Sequence, residues 1–159
     1  MSDDNQERPD PALSVVFGFF NEIGIINQLS RAMFEARLPN GVTVAHFSVL
    51  NHLIRVRDGQ TPMRLADAFQ VPKTTMTHTL MGLEARALID MRPNPDDGRS
   101  KRVWLTEAGR EFRTDAIYLL AEDVQSMAEV IDFADLAAAL PTLEAVRKYL
   151  DDARDLRPE

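Results

Sequence analysis

The spacing of apolar residues predicts helix over most of the chain, beginning with a long helix from residue 12 to about residue 38. Its apolar side chains fall on two faces, Leu13, Val16, Phe20 and Ile23 on one and Val15, Phe19, Ile26, Leu29 and Met33 on the other. A helix that is apolar on more than one side must be covered on more than one side. In a chain this small, we expect a partner subunit to supply the second cover.

Three shorter helices should follow, separated by turn signals. Thr43 is expected to cap a helix reaching about Arg57, and Thr61 and Pro62 to start another that ends near Phe69. A tight turn then leads to Pro72, which should open a helix continuing to about Ala87. Two helices joined by so short a turn, the second polar on its outer face, are typical of a helix-turn-helix.

The period changes after that pair. Residues 89–92 and 102–105 alternate as strands do, and the Pro- and Asp-containing segment 93–101 is interpreted as a long hairpin loop. A helix from Thr106 to about Val130 and a last one over residues 134–152 should complete the fold, with a kink or break at Pro141. The fold class is therefore mainly α: a winged helix-turn-helix with about six helices and one small β-hairpin wing.

Composition narrows the class of protein. At 159 residues with 45% hydrophobic and 27% charged residues, the chain suits one domain over residues 12–152, with a disordered tail expected at residues 1–11 and a second tail at 153–159. The lack of cysteine excludes disulfides, thiolate metal sites and a thiol nucleophile. No apolar run approaches the roughly 18 residues of a membrane span, and the first ten residues are acidic. We therefore expect a cytoplasmic protein with no membrane partner.

The net charge of −7 argues against a nucleic-acid partner at first, because DNA affinity rests on neutralised phosphates. The charge is uneven, however. Residues 61–104 carry seven basic and five acidic groups, a net of +2, so the remainder of the chain carries −9. Residues 98–102 alone hold three positive charges. Local sign matters more than the total when a surface meets a polyanion.

Side chains suited to duplex DNA lie on the second helix of the pair and on the hairpin. Hydroxyls can bond phosphates or base edges, Lys73 can neutralise a phosphate at a helix N-terminus, and His78 can donate to a base in the major groove. Arg99, near the hairpin tip, suits the minor groove. The candidate DNA-binding residues are Lys73, Thr74, Thr75, Thr77, His78, Arg99, Lys101 and Arg102.

Two segments resemble the MarR family of transcriptional regulators. Val71 to His78 with Leu83 to Ile89 is similar to that family's recognition helix, and Asp96 to Gly109 resembles its wing signature of Asp, one residue, Arg, a strand and Leu-Thr-Glu-Ala-Gly. Ala87 departs from a usual glycine, Gly98 from a frequent basic residue and His78 from a frequent arginine.

The resemblance implies a homodimer, with residues 43–105 as the winged-helix DNA-binding lobe and the helices of residues 12–38 and 106–152 as the dimerisation helices. Its two recognition helices are expected to enter successive major grooves of a pseudo-palindromic operator in double-stranded DNA. It also implies Arg99 in the minor groove and Asp97 as the residue that orients the wing. A repressor relieved by a small aromatic or lipophilic effector is expected, with Phe20, Asn27, His46 and Arg55 as candidate pocket residues.

Catalytic and metal-binding alternatives find little support in the sequence. His46 and His52 lie six residues apart, about 240° around a helix, so they cannot hold one metal from one face. The carboxylates have no paired arrangement for acid/base catalysis, and no phosphate-binding glycine loop is present. We therefore expect no enzyme, metal or cofactor. The remaining alternative, motivated by the acidity, is an oligomerisation or partner-binding module whose winged helix no longer binds DNA.

Overall fold

The computed structural model describes residues 10–155. Of the tails expected at residues 1–11 and 153–159, residues 1–9 and 156–159 lie outside the described chain, whereas Pro11 already belongs to the first helix and residues 153–155 to the last. The described chain forms two compact units, one ending at Leu119 and one beginning at Leu120. The first contains α1 (Pro11–Arg37), α2 (Val44–Arg55), α3 (Pro62–Phe69), α4 (Lys73–Glu84), β1 (Ile89–Asn94), β2 (Asp97–Leu105) and α5 (Glu107–Tyr118). The second contains α6 (Ala121–Ala128) and α7 (Phe133–Asp155).

The core of the first unit lies where α2, α3 and α4 meet the hairpin. Each helix contributes apolar side chains at spacings of three and four residues, so that one face of each is buried. The buried residues of this core are Val49, Leu50, Leu53, Leu65, Ala66, Met76, Leu80, Leu83, Leu88, Ile89 and Val103. This core fixes α4 and the hairpin on one scaffold.

Hydroxyl side chains cap three helices at the predicted positions. The hydroxyls of Thr43, Thr61 and Thr106 each accept a hydrogen bond from a backbone N–H in the first turn of α2, α3 and α5. Pro62 occupies the first turn of α3, where its missing N–H leaves no partner unsatisfied. The predicted starts of these helices are confirmed.

The hairpin differs from the prediction, because the long loop expected over residues 93–101 is wrong. β1 and β2 pair antiparallel from Ile89 with Leu105 through Pro93 with Lys101, and a register shift then brings Asn94 opposite Asp97. The turn is only Pro95 and Asp96. Proline has no backbone N–H to donate and is therefore tolerated mainly in edge strands, and both strands of a two-stranded sheet are edge strands. The bulge accommodates the extra residues of β2.

The helices after the hairpin also differ from the prediction. The helix expected over residues 106–130 is interrupted at Leu119 and Leu120, where ψ of Leu120 is 0° instead of a helical value. The described residues therefore contain seven helices in place of about six. α7 runs without a break through Pro141, so a single lost N–H···O bond is tolerated there and the helix is not split.

Helix α1 leaves most of its apolar surface exposed, and Phe34 is its one buried residue. An 18-residue window within it has a mean hydropathy of 1.3, so by length and composition alone α1 could cross a membrane. This corrects the expectation that no stretch of the chain would approach that test. None of the window is buried in the first unit, whereas the end of α1 is anchored by Phe34, whose ring lies 4.6 Å from that of Phe47.

Candidate nucleic-acid interface

A three-residue turn joins α3 to α4, as the sequence predicted. Gln70 takes a left-handed conformation with φ of 52°, which reverses the chain at the end of α3. The N–H groups of Gln70 and Val71 donate back to the carbonyls of Asp67 and Ala66, at 3.2 and 3.1 Å. Pro72 then caps α4 without using a side chain. Backbone bonds thus fix the angle at which α4 leaves the turn.

The outer face of α4 is polar and exposed, whereas Met76, Leu80 and Leu83 on its inner face are buried in the core. The hydroxyl of Thr77 donates to the carbonyl of Lys73 at 2.8 Å, so its oxygen remains available as an acceptor. All five candidate residues of this helix are exposed: Lys73, Thr74, Thr75, Thr77 and His78. The core therefore presents them together on one surface.

Met81 extends the same face and is missing from the predicted site. Thr74, Thr77, His78 and Met81 follow a spacing of three, four and seven residues, which places them on one side of a helix. The Met81 side chain is 59% exposed although it is apolar. The helical period places Met81 on the outward face from the sequence alone, but its apolar side chain was not included among the DNA-binding candidates.

The wing carries two of the predicted cations on its exposed surface. Arg99 and Lys101 on β2 are both exposed, and the carboxylate of Asp97 accepts a hydrogen bond from the Arg99 N–H at 3.0 Å. Ser100 donates from its hydroxyl to the Asp97 carbonyl at 3.2 Å and accepts from the amide of Asn94 at 2.9 Å. Asp97 thus shapes the backbone that carries Arg99.

Arg102 differs from the other predicted cations, because its side chain is only 24% exposed. Its guanidinium donates to Oδ1 of Asn94 at 2.8 Å, to the Gly59 carbonyl at 3.3 Å and to Oδ2 of Asp96 at 2.5 Å. These bonds connect the hairpin turn to the loop before α3. Sequence reasoning missed Asn94 and Asp96, and the sequence gives no signal for Asn94 beyond its place between two prolines.

Two of the seven basic groups in residues 61–104 are engaged in internal ion pairs. Arg92 pairs with Asp90 at 2.7 Å, and Arg102 pairs with Asp96. Each pair sets aside one basic and one acidic group, so the net charge of the segment stays at +2. The positive charge at the exposed surface therefore rests on a few side chains, among them Lys73, Arg99 and Lys101.

The candidate pocket residues lie in different surroundings. Phe20 and Asn27 are on the exposed length of α1, and Arg55 is exposed at the end of α2. His46 is buried in the first turn of α2. Two surface cavities, one lined by residues 128–133 and one by α5 side chains including Glu107 and Thr114, contain none of these four.

His46 is the titratable group that its surroundings affect most clearly. Burial, followed by the nearby Arg86 guanidinium and the His78 ring, lowers the pKa of His46 below its ordinary value of 6.5. Each of these effects disfavours the protonated ring. Among residues 10–155, no group of three or more His, Asp or Glu side chains is arranged to hold a metal ion.

The chain is similar to known proteins both in sequence and in fold. Residues 40–100 match the model of the MarR family. A MarR transcriptional regulator from Methanosarcina mazei Go1 superposes with a TM-score of 0.74 at 20% identity, covering 85% of this chain and 97% of that one. Two further structures show the same fold. A mutant of Escherichia coli MarR complexed with operator DNA has a TM-score of 0.66 at 23% identity, with 86% and 99% coverage. Bordetella bronchiseptica BpsR, whose DNA binding is regulated by 6-hydroxynicotinic acid, has a TM-score of 0.65 at 23% identity, with 82% and 98% coverage.

Proposed function

We propose that this chain, whose residues 40–100 match the MarR family model, is a winged-helix transcriptional regulator of that family that binds double-stranded DNA in a sequence-specific manner and represses transcription. Helix α4 enters the major groove and the wing reaches the adjacent minor groove. The observation that carries this proposal is the exposed polar face of α4 beside a wing that presents Arg99 and Lys101, both fixed by one core.

Each side chain of this surface has a separate task in the proposal. Thr77, His78 and Met81 read base edges, because they lie on the outer face beyond the first turn of α4. Lys73 and Lys101 neutralise phosphates, and Arg99 enters the minor groove. Arg102 acts on DNA through the position of the wing, because three acceptors already engage its guanidinium.

We further propose that the active species is a homodimer. Helix α1 exposes large apolar side chains that a folded chain rarely leaves in water, among them Val15 at 72%, Phe17 at 76% and Leu29 at 64% exposed. In the second unit, α7 similarly exposes Leu136, Leu140 and Tyr149. A second copy of the chain would cover both sets and would place two α4 helices on a pseudo-palindromic site. This assignment also accounts for the hydropathy of α1 in a cytoplasmic protein.

Selection of bound duplexes from a random pool tests DNA binding and symmetry together. We expect an enriched pseudo-palindrome with half-sites about 10 bp apart, centre to centre. Failure to enrich any duplex would overturn the proposal. It would favour the alternative of a partner-binding module, which the net charge of −7 supports.

Salt dependence of binding to the selected duplex tests the role of the wing. Arg99→Ala should flatten the slope of log K against log salt by about one unit. Arg147→Ala is the matched control, because it removes the same charge from an exposed side chain of α7. Equal slopes for the two variants would contradict the minor-groove assignment.

A small aromatic or lipophilic effector is proposed to relieve repression. Ligand binding that changes the separation of the two α4 helices would lower operator affinity by linkage. The ligand named for the Bordetella protein, 6-hydroxynicotinic acid, is a suitable first probe. Release of the selected duplex on titration with it supports the proposal. Unchanged affinity at saturating ligand rejects that ligand as the effector.

A further inference from the structure

His46 forms a reciprocal cap at the start of α2. Its Nδ1 accepts a hydrogen bond from the Thr43 N–H at 3.0 Å, while the Thr43 hydroxyl accepts from the His46 N–H at 3.4 Å. The side chain of this capping arrangement is usually Glu or Gln, which accept at any neutral pH. An imidazole accepts at Nδ1 only while that nitrogen carries no proton. The cap therefore requires the neutral ring.

The opposite edge of the same ring contacts α4 at Gly82. A Cβ atom at position 82 would lie 2.4 Å from Nε2 of His46 and 3.3 Å from Cε1. Gly82 thus lets the ring lie directly against the backbone of the helix that carries Thr77 and His78. His46 therefore packs against α4 at this position.

Arg86 ties the same end of α4 to the loop before α2. Its guanidinium donates to the Gly82 carbonyl at 2.9 Å and to the Gly41 carbonyl at 2.7 Å. The carbonyls belong to residues 41 positions apart in sequence, so this contact exists only in the folded chain. Ring and guanidinium together seat α4 against α2.

We infer that His46 is a positioning residue for DNA recognition: its neutral ring seats α4 in the orientation that binds the operator, and protonation releases that seating. The inference rests on the proposed function. It adds to that function a dependence of operator affinity on pH that originates inside the fold instead of at the DNA surface.

The charged and titratable groups around the His46 ring disfavour its protonation. His78 on α4 and Arg86, two residues beyond its end, lie near the His46 ring, and both disfavour a positive charge on it. Glu35, from α1, lies at the same end of α2, where its Oε1 accepts from the Val44 N–H at 3.3 Å and pairs with Arg31 at 3.6 Å. The seated ring holds a proton less tightly than a released one, so acidification favours the released state.

His78 carries a second imidazole, on the exposed face of α4 that the proposal places against DNA. The contribution of His46 must therefore be measured as a difference between variants. Measuring each variant in a His78→Gln background as well, on a duplex selected with His78→Gln, removes the second imidazole from the comparison.

The experiment compares affinity for the selected duplex at about pH 7.5 and about pH 5.5, at constant ionic strength, by fluorescence anisotropy. His46→Gln keeps an oxygen acceptor for the Thr43 N–H and does not titrate. His52→Gln is the matched control on the same helix, where His52 contacts Gln60. All three proteins are compared in the His78→Gln background. With His46 present, we expect the affinity to fall about three- to tenfold between about pH 7.5 and about pH 5.5, and His52→Gln should show the same fall. With His46→Gln, the affinity should be the same at both pH values.

A second set of variants keeps the inference testable if His46→Gln does not fold. Gly82→Ala should displace the ring and weaken operator binding about tenfold, whereas it should have little effect in a His46→Ala background, where the space is empty. Additive effects of the two changes, or parallel pH profiles for His46 and His46→Gln, would overturn the inference alone. Absence of sequence-specific binding at about pH 7.5 would instead overturn the proposed function.

Discussion

Replacing Gly109 by alanine should destabilise the first unit by forcing α5 away from Leu88, in the segment between α4 and β1. A Cβ atom built at Gly109 would lie 2.1 Å from the Leu88 carbonyl oxygen and 3.0 Å from Cδ1 of Leu105. The oxygen belongs to backbone and cannot rotate away as a long side chain can. It also accepts the Thr106 N–H at 3.3 Å, so the same movement weakens that bond.

The magnitude follows from three contributions. Overpacking at a site with no room costs about 1–3 kcal/mol, and a weakened backbone hydrogen bond costs about 1 kcal/mol. Alanine recovers at most about 1 kcal/mol of helix propensity over glycine. The free energy of unfolding should therefore fall by about 2 kcal/mol, which lowers Tm by about 4–8 °C for a chain of this size.

Urea unfolding followed by circular dichroism measures this change, and Gly98→Ala is the matched control. Gly98 has no atom within 4 Å of its built Cβ and lies in the exposed wing. We expect the control to remain within about 0.5 kcal/mol of the original protein. If Gly109→Ala unfolds at the same urea concentration as Gly98→Ala, with an unchanged m-value, then α5 does not approach the Leu88 carbonyl as closely as described.

Three further predictions concern the same unit. Ala87 has a left-handed φ of 55°, so Ala87→Gly should raise the free energy of unfolding by about 1 kcal/mol. Ala85 has a helical φ of −60°, so Ala85→Gly should lower it. If both variants change the free energy of unfolding in the same direction, the backbone at Ala87 is not strained. Leu50→Ala empties a fully buried site and should cost about 3–5 kcal/mol in urea unfolding, whereas a loss below about 1 kcal/mol would place Leu50 outside the core. Because the pKa of His46 is lowered from 6.5 in the folded state, its contribution to stability is complete above about pH 6.5 and is lost as pH falls through the lower folded value; an unfolding free energy whose pH dependence is unchanged by His46→Gln would contradict this.

Local chemistry made much of the first unit predictable. Threonine hydroxyls at 43, 61 and 106 and Pro62 act within one turn of helix, so their effect can be recognised without knowing the rest of the fold. The helical period likewise separated the exposed face of α4 from its buried face. The outline of the helix-turn-helix and the exposed candidates on α4 follow from these signals.

Hairpin length and helix continuity could not be predicted in the same way. Two prolines and several turn residues indicated a loop over residues 93–101, yet cross-strand pairing and the side chains of Asn94 and Arg102 order that segment as strand. The helix is interrupted at Leu120 although good helix formers flank that residue on both sides. The hairpin depends on cross-strand partners that lie outside the local window.

The sequence by itself determined where most helices begin, which face of α4 is polar and which segment is basic, because capping, period and charge act between near neighbours. Only the tertiary structure decided which of the charged and titratable side chains have structural tasks. Arg86 reaches Gly41 across 45 positions and Arg102 reaches Gly59 across 43, while Gly82 matters because a ring from another helix lies against it. Such contacts leave no periodic trace, since they depend on how packed helices bring distant residues within hydrogen-bonding distance.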